Sequence, residues 1–284
     1  MEFQRRSTVD RRWEWKTPIS FFGKVIDQND RPIAQAKIRF QWTDLSTKGT
    51  SEAEATNDGK GLFELQDQHG KNLGVYVTKE GFYAASRREN QTSFEFSSPY
   101  EKTYYEPDKA HPVIFRLLKK GDAEPLLQHS VELALPGNGS RRAVDLFGGK
   151  VTDTGQLQIT AWKPQLTTTP LLKPYDWRIT VEISGGGFVE HKDTFPFTAP
   201  EDDYVSSIDL HMSPDLGPQW SVGVERNYYF RFGTPPHYGR LILRTNGDSK
   251  FVFIDYFLNP KPGSRNLEYD STQDVIKEPS RIKQ

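Results

Sequence analysis

Apolar and polar residues alternate with a period of two along much of this chain, and that pattern limits what it can become. Successive side chains on an extended strand point to opposite faces, so strict alternation describes a strand with one face buried and one in water. Ala36, Ile38, Phe40 and Trp42 alternate with Lys37, Arg39 and Gln41. Leu73, Val75 and Val77 repeat the pattern, as do Val113, Phe115 and Leu117. Later, Trp177, Ile179, Val181 and Ile183 alternate with Arg178, Thr180 and Glu182. Tyr228, Phe230 and Phe232 follow, then Leu241, Leu243 and Thr245. β-branched and aromatic residues dominate these tracts, as pleated surfaces prefer.

Turn chemistry separates the tracts. Asp27 to Pro32 divides the first two, and Asn57-Asp58-Gly59 precedes Leu62-Phe63-Glu64-Leu65. Asn246-Gly247 lies between Leu241–Thr245 and Phe251–Ile254 and predicts a tight hairpin with both central residues at positive φ. The 22 glycines and 19 prolines leave little room for long helices. The nearest helical candidate is Arg141–Phe147, a turn or two. Many short strands with regular turns predict sandwiches or barrels. A polar break at Lys119-Lys120-Gly121-Asp122 sets a domain boundary. The expected fold is therefore all-β, with two β-sandwich domains. An amino-terminal arm (1–17) precedes a small Ig-like sandwich (18–120). A larger, jelly-roll-like sandwich (121–270) and a polar tail (271–284) follow.

Charge and composition exclude several classes. The 37 basic and 38 acidic residues give a net charge of -1, which argues against a globally basic nucleic-acid binder. There are no cysteines, hence no disulfides, thiolate metal sites or thiol nucleophiles. No apolar run approaches the ~20 residues of a membrane helix, so membrane insertion is not expected. The opening MEFQRRSTVDRRWEWKTP lacks the apolar stretch of roughly 7–15 residues that marks a signal peptide. Two readings stay open: a cytoplasmic protein, or an exported one whose leader has been removed. Asn90-Gln91-Thr92 and Asn138-Gly139-Ser140 fit the glycosylation sequon, a short pattern that chance often produces.

Four segments in order resemble the carboxypeptidase regulatory-like family, a small transthyretin-like sandwich. Gly23-Lys24-Val25-Ile26-Asp27 is similar to its opening strand. Arg31 to Ile38 resembles its "P-hydrophobic-x-G-A-x-V" step, with Gln35 where glycine is usual. Thr56 to Phe63 resembles "T-D-x-x-G-x-F", and Val75 to Phe82 resembles the strand that ends in a Gly-aromatic corner. The resemblance covers about residues 20–118. It implies an accessory module without chemistry of its own, usually attached to something else and outside the cytoplasm. The run Asn259 to Asp270 is similar to the ending of uncharacterised bacterial proteins that carry the same first domain.

The search for chemistry finds weak candidates. His129-Ser130-Val131-Glu132 matches H-x-x-E, but positions three apart on a strand face opposite ways and do not share an ion. There is no H-E-x-x-H, G-x-S-x-G, P-loop or strand-borne G-x-G-x-x-G, and no cofactor is expected. Glu201, Asp202 and Asp203 are candidate calcium ligands but lack the spacing of an EF-hand, and read as a solvated loop. His191-Lys192-Asp193 reads as a strand edge. Trp42 and Trp177 belong to the core faces, whereas Trp162 and Trp220 lie beside prolines or near strand ends. Exposed there, Trp162 and Trp220 would stack on a polysaccharide; buried, they anchor structure. Arg5, Arg6, Arg11 and Arg12 make the arm basic, diluted by Glu2, Asp10 and Glu14 to a solvated tail. Trp13 and Trp15, two apart, fall on one side of an extended arm. Residues 10–18 are accordingly expected to pack on a sheet edge or seam of their own or a neighbouring chain, with self-association in the second case. The expectation is a non-catalytic, extracytoplasmic structural, adhesive or assembly protein. A carbohydrate-binding protein is the alternative, and a hydrolase built from dispersed carboxylates the third reading.

Overall fold

A computed structural model describes residues 6, 8–84, 91–97, 104–164 and 173–269. The expected tail 271–284 and Asn90 of the first sequon lie outside the described residues. The chain is all-β and divides into two compact units, Met1–Lys120 and Gly121–Gln284, each built of two sheets.

The first unit contains β1 (Pro18–Ile26), β2 (Lys37–Thr43), β3 (Thr50–Thr56), β4 (Leu62–His69), β5 (Asn72–Thr78), β6 (Phe82–Ala84), β7 (Ser93–Glu95) and β8 (Val113–Lys119). Its sheets run β4-β1-β8-β6 and β3-β2-β5-β7, with β1 parallel to β8. The alternating faces meet between them: Phe21, Phe40, Phe94, Phe115, Leu73 and Val75 are all at most 1% exposed. Gly23 pairs with Phe63, and a Cβ there would stand 2.2 Å from the Phe63 ring, so only glycine lets that ring cross into the core. Asn57, expected as a turn residue, is buried. Its Oδ1 accepts from Ala36 N (2.6 Å) and its Nδ2 donates to Ile33 O (2.5 Å), tying two chain segments together.

The second unit contains β9 (Leu127–Ala134), β10 (Asn138–Asp145), β11 (Lys150–Thr152), β12 (Leu157–Trp162), β13 (Trp177–Ile183), β14 (Gly186–Glu190), β15 (Ser207–Met212), β16 (Gly223–Phe232), β17 (His237–Asn246) and β18 (Phe251–Leu258). Its sheets run β11-β10-β12-β13-β15 and β14-β16-β17-β18-β9. Trp177 is the largest fully buried side chain between them.

Two local expectations are corrected here. Arg141–Phe147 is not helical: it is the second part of β10 and the start of the turn after it, and the register of β10 with β12 shifts between Asn138 and Arg141. That irregularity leaves Arg141 and Arg142 both exposed and breaks the alternation that would have marked a strand. Asn246 and Gly247 do join two strands, but neither has positive φ. The connection is longer, since the last pair is Thr245 with Val252. Gly247 is required for space instead: a Cβ would come within 2.7 Å of Tyr175 Oη and 2.8 Å of Trp177 Cδ1.

A third layer covers the β14-β16-β17-β18-β9 sheet. Ala199 and Leu267, from the loops after β14 and β18, pack with Tyr229 and Tyr238 on its outer face. The Arg240 guanidinium lies 4.2 Å from the Phe257 ring centroid and 5.5 Å from that of Phe197. Burial draws its pKa down to about 10.

Candidate functional site: a groove on the amino-terminal unit

The arm folds onto its own unit. Trp13–Lys16 forms a turn of 3-10 helix, with Thr17 N donating to Glu14 O. The expected extended arm with both indoles on one side is therefore corrected. A 3-10 turn rotates about 120° per residue, so residues two apart diverge. The residue driven inward is Glu14, whose carboxylate meets Lys71 Nζ at 2.8 Å. Ser97 Oγ donates to Glu14 O (2.9 Å) and Gly70 N to Thr17 O (2.9 Å). Trp13 and Trp15 stay half-buried, with Arg6 5.2 Å from the first ring and Lys71 Nζ 5.7 Å from the second.

Held this way, Trp15 forms one wall of a groove of about 570 Å³. The end of β2 supplies Trp42, and the following loop supplies Asp44, Leu45 and Ser46. The end of β4 supplies Asp67, Gln68 and His69. A bulge aims that last strand. Ile19 pairs with Gln68 but Phe21 pairs with Leu65, so Gln66 and Asp67 together oppose Ser20. Asp67 sits at φ 58°, a conformation short polar residues tolerate better than most. Asp67 and His69 are exposed, and neither side chain has a hydrogen-bond partner among the described residues. Asp44 differs: burial would raise its pKa, but hydrogen bonds from Ser46 and Ser51 hold it below the usual carboxylate range. A second hollow of about 510 Å³ on the β2–β3 hairpin, lined by Gln41, Lys48 and Glu52, meets the first at Ser46 and Ser51.

The residues nominated from sequence are dispersed. Trp162 is 45% exposed at the end of β12, its indole across Gly139, where a Cβ would stand 2.7 Å from Nε1. Trp220 is half-buried against the core and donates Nε1–H to Tyr175 O (2.9 Å). Its position is that of an anchor, not of a stacking platform. His129 lies 5.4 Å from the buried Tyr256 ring, while Glu132 is on the exposed side of β9. Glu201, Asp202 and Asp203 are exposed in a loop. His191 is stacked on Tyr229 at 4.2 Å, and Tyr229 Oη donates to Asp193 Oδ2 (2.6 Å). Among the described residues no group of three or more His, Asp or Glu side chains is arranged to hold a metal ion. No described helix is long and apolar enough to cross a membrane.

Comparison with known proteins adds little. No protein-family model matches the chain, so the carboxypeptidase regulatory-like resemblance rests on the residues quoted for it. The uncharacterized protein YlqB of Bacillus subtilis (strain 168) is 34% identical over 65 residues, 23% of this chain and 40% of that one. The chain thus spans about two fifths of the length of that curated relative. Among solved structures, a mutant of the shaft pilin SpaA from Lactobacillus rhamnosus GG aligns over 81% of this chain and 88% of its own, with 9% identity and a TM-score of 0.26. BcpA, the major pilin subunit of Bacillus cereus, aligns over 85% of this chain and 68% of its own, with 11% identity and a TM-score of 0.24.

Proposed function

We propose that this chain is a non-catalytic, extracytoplasmic protein with a structural or adhesive role. One observation carries the reading: several side chains with strongly displaced proton affinities tie loops to one another and to strand ends. Hydrogen bonds from Lys261, Ser264 and Asn259 hold Glu124 down to about 2. Burial draws Lys163 down to about 8, and its ammonium donates to Asn246 O (2.8 Å) and Ser249 O (2.7 Å) in the β17–β18 connection. Burial raises Tyr229, which donates to Asp193 beyond β14. Burial also raises Tyr175, whose hydroxyl donates to Asp248. Catalytic acids and bases are tuned in the same way, but they face a cleft that a substrate enters. These groups face protein partners. The extracytoplasmic part of the proposal rests on the accessory-module resemblance of residues 20–118.

The test has two arms. Intact cells expressing the full-length gene are treated with protease, and cleavage of this protein without lysis is expected. The purified protein is assayed on glycosides, esters and peptides, and no turnover is expected. Protection from protease in intact cells overturns the location. Turnover that is lost on substituting carboxylates of one cleft overturns the non-catalytic role in favour of a hydrolase.

A further inference from the structure

We infer that the groove lined by Trp15, Trp42, Asp44, Asp67 and His69 binds a glycan, neutral or amine-bearing. This deepens the adhesive side of the function proposed above by naming its ligand class.

The argument begins with chemistry. A sugar ring offers an apolar face of C–H groups and a rim of hydroxyls that both donate and accept. A matching site needs an aromatic or aliphatic wall together with unpaired polar groups of both kinds. The half-buried indole of Trp15 and Leu45, which is 50% exposed, supply the apolar wall, and Trp42, only 6% exposed, closes its base. The Asp67 carboxylate is acceptor-only and has no protein partner among the described residues. The His69 imidazole, likewise unpartnered there, can donate and accept. Gln68 already donates to Gln66 O, Ser46 to Thr50 O, and Ser46 and Ser51 to Asp44, so these side chains add acceptor oxygens rather than donors.

Preorganisation is the second strand of the argument. The bulge opposite Ser20 fixes the backbone at Asp67, and the pair of buried Glu14 with half-buried Lys71 fixes the turn that carries Trp15. A site assembled before the ligand arrives loses less on ordering.

Charge selects among glycans. Asp44 and Asp67 are both carboxylates, and the one cation of the lining, Lys16, is already 2.6 Å from Asp10. That field disfavours uronate- or sulfate-bearing chains and favours neutral or amine-bearing ones. The second hollow shares Ser46 and Ser51 with the first, but the Gln41–Glu52 pair stands on the face of the hairpin opposite the Trp42–Ser51 pair, so the site is confined to the first groove.

The experiment is native affinity electrophoresis of the full chain in gels containing β-glucan, α-glucan, mannan, chitosan or polygalacturonate. Retardation is expected in at least one neutral or amine-bearing polymer and not in polygalacturonate alone. The double variant Asp67→Asn/His69→Ala should weaken it about tenfold or more, equivalent to ~1.4 kcal/mol. Asparagine tolerates the positive φ at 67, and an unchanged melting temperature would show that the fold is intact. Trp162→Ala, on the second unit, should retain full retardation. The inference is overturned by no retardation in any neutral or amine-bearing polymer. Retardation that survives the double variant, or that is lost with Trp162→Ala, also overturns it. Failure to bind leaves the non-catalytic role standing, whereas turnover of a retarded polymer overturns that role and leaves the site.

Discussion

Gln35 sits at φ 56°, in the left-handed region, at the position where the resembled family usually has glycine. A side chain there costs about 1–2 kcal/mol, while glycine loses more entropy on folding, by roughly 0.5–1 kcal/mol. Gln35→Gly is therefore expected to stabilise the first unit by up to ~1 kcal/mol, read as a rise in melting temperature. Glu124 gives a prediction in pH. Its folded pKa of about 2 lies below the ordinary 4.5, so its contribution is fully present above pH 4.5. As pH falls through that value towards 2, the contribution is lost, because the unfolded chain binds the proton more readily. Glu124→Gln should flatten the acid limb of a stability–pH curve over that window, and an unchanged limb would contradict the clamp. Asn57→Ala removes a buried bridge between two loops and should cost ~2–4 kcal/mol by urea unfolding.

The connection between β17 and β18 is the element whose residues do the least expected work. Asn-Gly is ordinarily read for its backbone conformation, yet Gly247 serves as the floor beneath Tyr175 and Trp177. Lys163 and Tyr175 then bind this connection from the other sheet of the unit. Gly247→Ala must displace two rings and is expected to destabilise the second unit by ~1–3 kcal/mol, a typical cost of overpacking. If melting is unchanged, the close approach is not what selects glycine. The edge strand β3 poses a different problem, since its outer backbone groups are unpaired in the sheet order. Glu52 and Glu54 lie on it with Ala53 between them and Ala55 after, and like charges on an edge discourage pairing with another copy.

The arm bears on the whole molecule, because it had two destinations: its own unit or a neighbour. It is seated on its own unit through Glu14, Thr17 and the paired Pro18. Deleting residues 1–16 leaves Lys71 without its carboxylate and Ser97 without its acceptor, a loss of ~2–4 kcal/mol. Light scattering should give the same number of chains per particle before and after the deletion, and calorimetry a lower melting temperature for the first unit. Fewer chains per particle after the deletion would show instead that the arm joins copies of the chain.

The tracts of period-two alternation determined the strands themselves, because pleating is a property of the local backbone and needs no partner. Ile38, Phe40 and Trp42 are buried where the alternation puts them, as are Ile179 and Val181. Where a bulge breaks the alternation, as near Arg141, the local signal fails and β10 reads as a helix. The groove was not legible for a related reason. Trp15, Trp42, Asp44 and His69 are brought together by a helical turn, a hairpin loop and a bulge, and none of those has a sequence period. Trp162 and Trp220 look alike from sequence. One lies over a glycine in water and the other is hydrogen-bonded against the core, a difference that depends on Gly139 and Tyr175 far along the chain. The third layer over the second sheet was likewise decided only in three dimensions. Its loops have no pattern of their own, and they are ordered by what lies beneath them: Tyr229, Tyr238 and the guanidinium of Arg240 between two rings.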